Sequence, residues 1–192
     1  MHDLLKTQLA AFIDLTPETE QLIESCFKHR VVKKNEVLVA QGSIAKYLYF
    51  VIKGCLRVFM VDDAGNESTR FLVLPGRFGT AFPSFILKEP SAAVVQSLEP
   101  AELLLLSYED RERLNREVPG WETMSRKQVE LEYIASIRRI ESLITMKSGD
   151  RYQLLVKSDP DIVKRLPARI IADYLGISQE TLSRLKNQKP IE

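Results

Sequence analysis

The sequence of 192 residues is poor in the side chains that hold metals. Its two cysteines, Cys26 and Cys55, stand far apart and alone. They make neither a disulfide framework nor a zinc or iron–sulfur ligand set, and are expected as small buried hydrophobes. There are two histidines, His2 and His29. A cupin-type metal enzyme needs about three with a carboxylate, so an enzyme of that kind is excluded and no metal or heme site is expected. No run approaches the ~20 apolar residues of a membrane span. The longest, "YLYFVI" from Tyr47 to Ile52, is expected as a buried strand. The opening "MHDLLKTQLAAFIDL" carries Asp3 and Asp14, with no basic region and no small-residue cleavage site. A cytoplasmic protein without a membrane partner is expected.

Charge of one sign is also scarce: 27 basic against 26 acidic residues leave a net +1. The distribution is uneven. Residues 147–192 carry +3 and the rest −2. A weakly acidic body with a basic tail fits nucleic-acid contact through the C-terminal part.

Three textures follow one another. Residues 4–27 are expected to be helical, with Thr16-Pro17-Glu18 as a helix start. From Val31 to Ser107 short β-rich runs alternate with turn signals at Gly42, Gly54, Asp62–Asn66, Pro75-Gly76 and Glu99-Pro100. This spacing predicts a roll or jelly-roll barrel, with "LRVFMVDDAGNESTRFLVL" as one hairpin. Next, "WETMSRKQVELEYIASIRRIESLITMK" runs without Gly or Pro, about 40 Å as a helix. Tyr133, Ile137, Ile140 and Ile144 recur along it at coiled-coil spacing, which predicts a seam against a second copy. The final block is helical in short pieces that end at Pro160 and Pro167. The class is therefore α+β. Residues 1–116 form an N-terminal helix and roll, 117–147 a long dimerisation helix, and 148–192 a helical DNA-binding domain.

The last block fits a helix-turn-helix that starts at Ala168. Its apolar packing positions are Ile171, Leu175, Ile177, Leu182 and Leu185. Ala172 supplies the small residue where the helices cross, and Gly176 the positive φ of the turn. Ser178 stands where an N-cap belongs. Gln179, Glu180, Ser183, Arg184 and Asn187 then face outward, candidates to read base edges in a major groove. Glu180 and Arg184 are also spaced as an ordinary (i, i+4) ion pair, and a purely structural helical hairpin is the competing reading. Seven residues remain after Leu185, too few for a β-hairpin wing on that side. Phosphate anchoring is expected from Arg169, Ser178, Thr181, Lys186 and Lys189.

A roll, a long helix and a C-terminal helix-turn-helix, in this order, resemble the Crp/Fnr transcription regulators. The resemblance rests on "YLYFVIKGCLRVFMVDDAGNE", "LPGRFG" and "AELLLLSYEDRERL" in the roll, and on "IADYLGISQETLSRL" in the tail. It implies a cyclic-nucleotide-binding-like roll, a homodimer on double-stranded DNA and RNA polymerase as partner. "ETLSR" looks like the Fnr branch, in which Glu180, Ser183 and Arg184 would read TTGA-like half-sites of an inverted repeat. Members that bind cyclic AMP hold it with a Gly-Glu pair and an Arg-Ser pair. Here Gly79-Thr80 and Pro90-Ser91 stand in their place, so the effector pocket of Gly79, Thr80, Phe82, Pro90 and Ser91 looks degenerate and cyclic AMP is not expected. What remains of it is apolar: Phe78, Phe82, Phe85, Ile86 and Leu87. Cys26 and Cys55 cannot supply the Fnr iron–sulfur cluster. The alternative is a sensor module of the same type that acts through protein partners without DNA.

Overall fold

The structure, a computed structural model, describes residues 1–187. Helix α1 (Asp3–Leu9) buries Leu5 and Leu9, and α2 (Pro17–Cys26) buries Ile23 and Cys26. The second helix starts at Thr16-Pro17 as expected, whereas the first ends at Leu9, short of the stretch expected from residue 4. Pro17 disfavours the helical region for Thr16, which is extended at φ −67°, ψ 161°. Thr16 Oγ1 instead accepts the Thr19 N–H at 3.3 Å and caps α2.

Eight strands follow: β1 (Phe27–Val32), β2 (Val37–Val39), β3 (Tyr47–Lys53), β4 (Leu56–Val61), β5 (Glu67–Val73), β6 (Phe78–Gly79), β7 (Ala93–Ser97) and β8 (Ala101–Ser107). They form two four-stranded sheets, ordered β1-β8-β3-β6 and β2-β7-β4-β5. The pairs are antiparallel, as the roll expected from the sequence requires. A short helix α3 (Phe82–Leu87) lies between β6 and β7. In the β4–β5 turn, Asp62 Oδ1 accepts the N–H groups of Ala64 (3.0 Å) and Asn66 (2.7 Å).

The apolar run of β3 serves two cores. Tyr49 and Val51 face the space between the sheets, with Leu103 and Leu105 of β8. Phe50 and Leu106 face the other way and pack with Leu5, Leu9 and Ile23. Strand side chains alternate, so a strand covered on both faces loses its polar positions. Full burial of a side chain such as Phe50 contributes about 1.5–3 kcal/mol.

Helix α4 (Tyr108–Glu117) starts at a Ser107 cap, whose Oγ accepts the Asp110 N–H at 3.0 Å. The long helix α5 (Trp121–Thr145) is anchored in the second core by Trp121 and Met124. Four helices complete the described chain: α6 (Ser148–Ser158), α7 (Pro160–Arg165), α8 (Ala168–Leu175) and α9 (Gln179–Asn187). Pro160 opens α7 at a position where its missing N–H costs nothing. Their shared core holds Tyr152, Leu155, Ile162, Ile171 and Leu182, and it continues into the roll through Cys55, Leu72 and Leu98.

Gly79 has a packing reason. A Cβ there would overlap the Val73 side chain. Gly79→Ala is expected to lower stability by about 1–3 kcal/mol through overpacking. Urea unfolding should show this, with partial recovery when Val73→Ala is added.

Candidate nucleic-acid interface and effector cavity

Helices α8 and α9 form the helix-turn-helix. Ile171, Ala172, Leu175 and Leu182 are buried, and Ile177 and Leu185 pack against them half-buried. Gly176 turns the chain at φ +65°, in the left-handed region, and its N–H bonds back to α8. The Thr181 N–H donates to Ser178 Oγ at 3.2 Å, which caps α9. Gln179, Glu180, Ser183, Arg184 and Asn187 are all exposed on one side of α9. Glu180 and Arg184 are not locked to each other. Arg184 Nη2 donates to Thr181 Oγ1 at 3.2 Å, and the hydrogen bond from Ser178, ahead of the Arg184 charge, holds the Glu180 carboxyl below its usual range.

Of the residues expected at phosphates, Ser178 and Lys186 are exposed and Thr181 is half-buried. Lys189, and any hairpin beyond it, lies outside the described residues. Arg169 differs from the sequence expectation of a free cation: its Nη1 pairs with Glu67 Oε2 of β5 at 3.1 Å. It belongs to a network that sequence reasoning missed. Arg57 of β4, only 1% exposed, donates from Nε to Thr69 Oγ1 (2.7 Å), from Nη1 to Glu67 Oε2 (2.6 Å) and from Nη2 to Asp173 Oδ2 of α8 (2.7 Å). The Arg57 guanidinium holds the Glu67 carboxyl below its usual range. Arg139 of α5 donates to the Thr69 carbonyl at 2.9 Å and lies over the Tyr174 ring of α8 at 4.2 Å. Nothing local in the sequence joins positions 57, 67, 139 and 173.

Beyond Met124, α5 leaves the roll. Tyr133, Ile137, Ile140 and Ile144 are 66%, 38%, 52% and 77% exposed. Val129, Leu131, Ile134 and Leu143 are exposed as well, so the bare apolar face is wider than the seam expected.

Between α5 and the roll lies a cavity of about 840 Å³. It is lined by Gly79, Thr80, Phe82, Pro90 and Ser91 together with α5 side chains. The expected apolar lining is only partly met. Phe78 and Phe82 line it, whereas Phe85 is buried in the roll core, Ile86 packs on that core and Leu87 is 61% exposed. The missed lining comes from α5: Trp121, Met124, Glu132 and Arg139. Its signal was the apolar residues at helical spacing from Trp121 onward. Trp121 Nε1 and Glu132 Oε2 are buried without a hydrogen-bond partner among the described residues, and burial raises the Glu132 carboxyl.

At the Gly79-Thr80 and Pro90-Ser91 positions the chain offers a cyclic nucleotide no charged group. Its ribose and phosphate would need a carboxylate and a cation beside free donors. Thr80 Oγ1 already donates to the Tyr47 carbonyl at 2.8 Å, and Ser91 Oγ to the Ala93 carbonyl at 2.7 Å. Pro90 has no N–H. Arg111 is paired with Glu112 at 2.6 Å, and Arg139 with backbone carbonyls. Arg70 is on β5, two strand spacings or about 9.5 Å from β7.

A two-sheet roll with a helical arm and a helix-turn-helix defines a two-part architecture. Comparison with known proteins finds likenesses to both parts. Residues 29–117 match the cyclic nucleotide-binding domain family. A cyclic AMP receptor protein of Thermus thermophilus is 33% identical over 108 residues, which is 56% of this chain and 50% of that protein. The chain thus spans half the length of that relative. The transcriptional regulatory protein btr of Bordetella pertussis is 25% identical over 179 residues, 88% of this chain and 73% of that protein. The crystal structure of the Thermus thermophilus catabolite activator protein aligns at a TM-score of 0.57 and 25% identity, covering 90% of this chain and 82% of that one. The roll is thus similar to cyclic nucleotide-binding domains, and the chain over most of its length is similar to transcription regulators that carry one. Among the described residues no helix is long and apolar enough to cross a membrane.

A ligand at a hundred times its Kd stabilises a protein by about 2.7 kcal/mol. Cyclic AMP is expected to produce no such rise in melting temperature, because Thr80 and Pro90, at the positions that would hold its ribose and phosphate, carry no charge.

Proposed function

We propose that the protein is a homodimeric, sequence-specific DNA-binding regulator of transcription, and that cyclic AMP is not its effector. One observation carries the reading of DNA. On a helix capped by Ser178, five polar side chains share one exposed face while Leu182 and Leu185 hold the other side to α8. Such a helix enters the major groove with its N-terminal half against base edges. Arg184 would take guanine O6 and N7, and Glu180 cytosine N4. With Ser183 these are the residues of the Fnr-like pattern, which favours TTGA-like half-sites. Gln179 and Asn187 flank them, and Ser178, Thr181 and Lys186 would hold phosphates.

The exposed apolar face of α5 supports the dimer. A face of this extent on a monomer would be left in water, and pairing with its own copy buries it. A two-fold dimer then calls for an inverted repeat. The resemblance to Crp/Fnr regulators suggests RNA polymerase as a further partner.

Two measurements test the reading. Selection of bound duplexes from a random library is expected to return an inverted repeat. Arg184→Ala should lose discrimination at one base pair of each half-site, by about 1–3 kcal/mol, and keep weaker non-specific binding. Full specificity in the mutant would remove α9 from the interface. A library that returns nothing would favour a roll that acts through protein partners. In sedimentation, Ile137→Asp is expected to convert dimer to monomer. A wild-type monomer at micromolar concentration would overturn the seam.

A further inference from the structure

Arg169 is the second residue of α8, the helix that crosses the DNA backbone in a helix-turn-helix. A cation there would ordinarily be free for a phosphate. In this protein a carboxylate of the roll has already taken it. Glu67 Oε2 accepts from Arg57 Nη1 at 2.6 Å and from Arg169 Nη1 at 3.1 Å, so one oxygen sits between two guanidinium groups. The contact is not a chance meeting of long side chains. Arg57 is buried and anchored by Thr69 and Asp173, which sets where Glu67 must stand. Asp173 ties the other end of α8 to the same hairpin, accepting the Thr69 N–H at 2.7 Å. Arg169 alone in this network keeps much of its side chain in solvent, at 61% exposure. It is the member that DNA could reach.

We infer that Glu67 occupies on Arg169 the place of a DNA phosphate, and that the roll thereby restrains DNA binding by an autoinhibitory contact. The inference rests on the DNA-binding reading above and adds how that interface is regulated. While the Glu67–Arg169 pair holds, Arg169 makes no phosphate contact, and the wild type binds DNA without it. Meanwhile the Glu67 charge, close to the approaching backbone, repels it. The hairpin that carries Glu67 also lines the α5 cavity, through Met60, Arg70 and Phe71. A molecule that fills the cavity therefore bears on the strands that hold the clamp.

The test compares the wild type, Glu67→Gln, Arg169→Ala, the double mutant and Asp63→Asn on one selected duplex, with affinities measured from 50 to 200 mM salt. Asp63, at the exposed tip of the same hairpin, controls for the loss of one negative charge. Gln keeps the shape of Glu67 and an acceptor for Arg57, and circular dichroism checks that the fold is kept. Glu67→Gln is expected to bind more tightly than Asp63→Asn. It should also gain one phosphate contact, which steepens the log K against log salt slope by about 0.9. The gain is then about 3.5 times larger at 50 mM than at 200 mM salt. Arg169→Ala should cost little in the wild type and abolish the gain in Glu67→Gln. An equal effect of the two acid-to-amide changes, or a gain that survives Arg169→Ala, would overturn the contact while the DNA reading stands. Failure of the wild type and Glu67→Gln alike to retain any duplex would overturn the DNA reading and this role of Glu67 with it.

Discussion

Arg57 is a guanidinium taken almost wholly out of water, and the relation of the roll to the helix-turn-helix depends on it. A buried cation is tolerable only where its donors are satisfied by opposite charge in good geometry. Here Thr69, Glu67 and Asp173 accept from it, and the Phe59 ring lies 4.2 Å from its carbon. Removing one partner from such a buried pair typically costs about 3–5 kcal/mol. The network therefore resists partial disassembly. Because Asp173 is on α8 and Glu67 on β5, satisfying Arg57 sets the pose of the helix-turn-helix on the roll. The apolar contacts of Cys55, Leu72 and Leu98 supply area beneath it, but apolar burial is non-directional. Hydrogen-bonded charge supplies the direction.

The long helix stands between two demands. Its first turn is held in the core by Trp121 and Met124, while its later turns keep an apolar face bare toward the cavity and solvent. Arg139 closes the triangle, bonded to the Thr69 and Arg70 carbonyls and stacked on Tyr174. Roll, arm and helix-turn-helix thus meet at the β4–β5 hairpin. A change at any one of them is felt by the other two through bonded groups.

Much of this was legible from residue order. The helix-turn-helix was readable because its constraints are local: a small residue at the crossing, a glycine in the turn, a cap and a spaced apolar set. The hairpins of the roll were marked by Asp62, Gly65, Pro75 and Gly76 for the same reason. The division at Thr16-Pro17 was also local, and only the length of the first helical segment misled. The cavity was less legible. Phe85, Ile86 and Leu87 looked like its lining because they lie within the Gly79 to Ser91 segment, yet α3 sends Phe85 inward and Leu87 outward. More than a third of the cavity lining comes from α5, which lies far along the chain.

The sequence by itself determined the order of roll, arm and helix-turn-helix, the capped helix with its outward polar face, and the lack of charge at Thr80 and Pro90. Those are matters of side-chain type at short spacing. Only the tertiary structure decided that Arg57 is buried, that Arg169 is engaged and that Glu132 faces a cavity. Arg57 sits in an apolar strand, where alternation alone leaves an arginine to solvent. Its partner Asp173 is 116 positions away. Pairing over such a distance has no periodic signature, because it depends on how two folded units are set against each other.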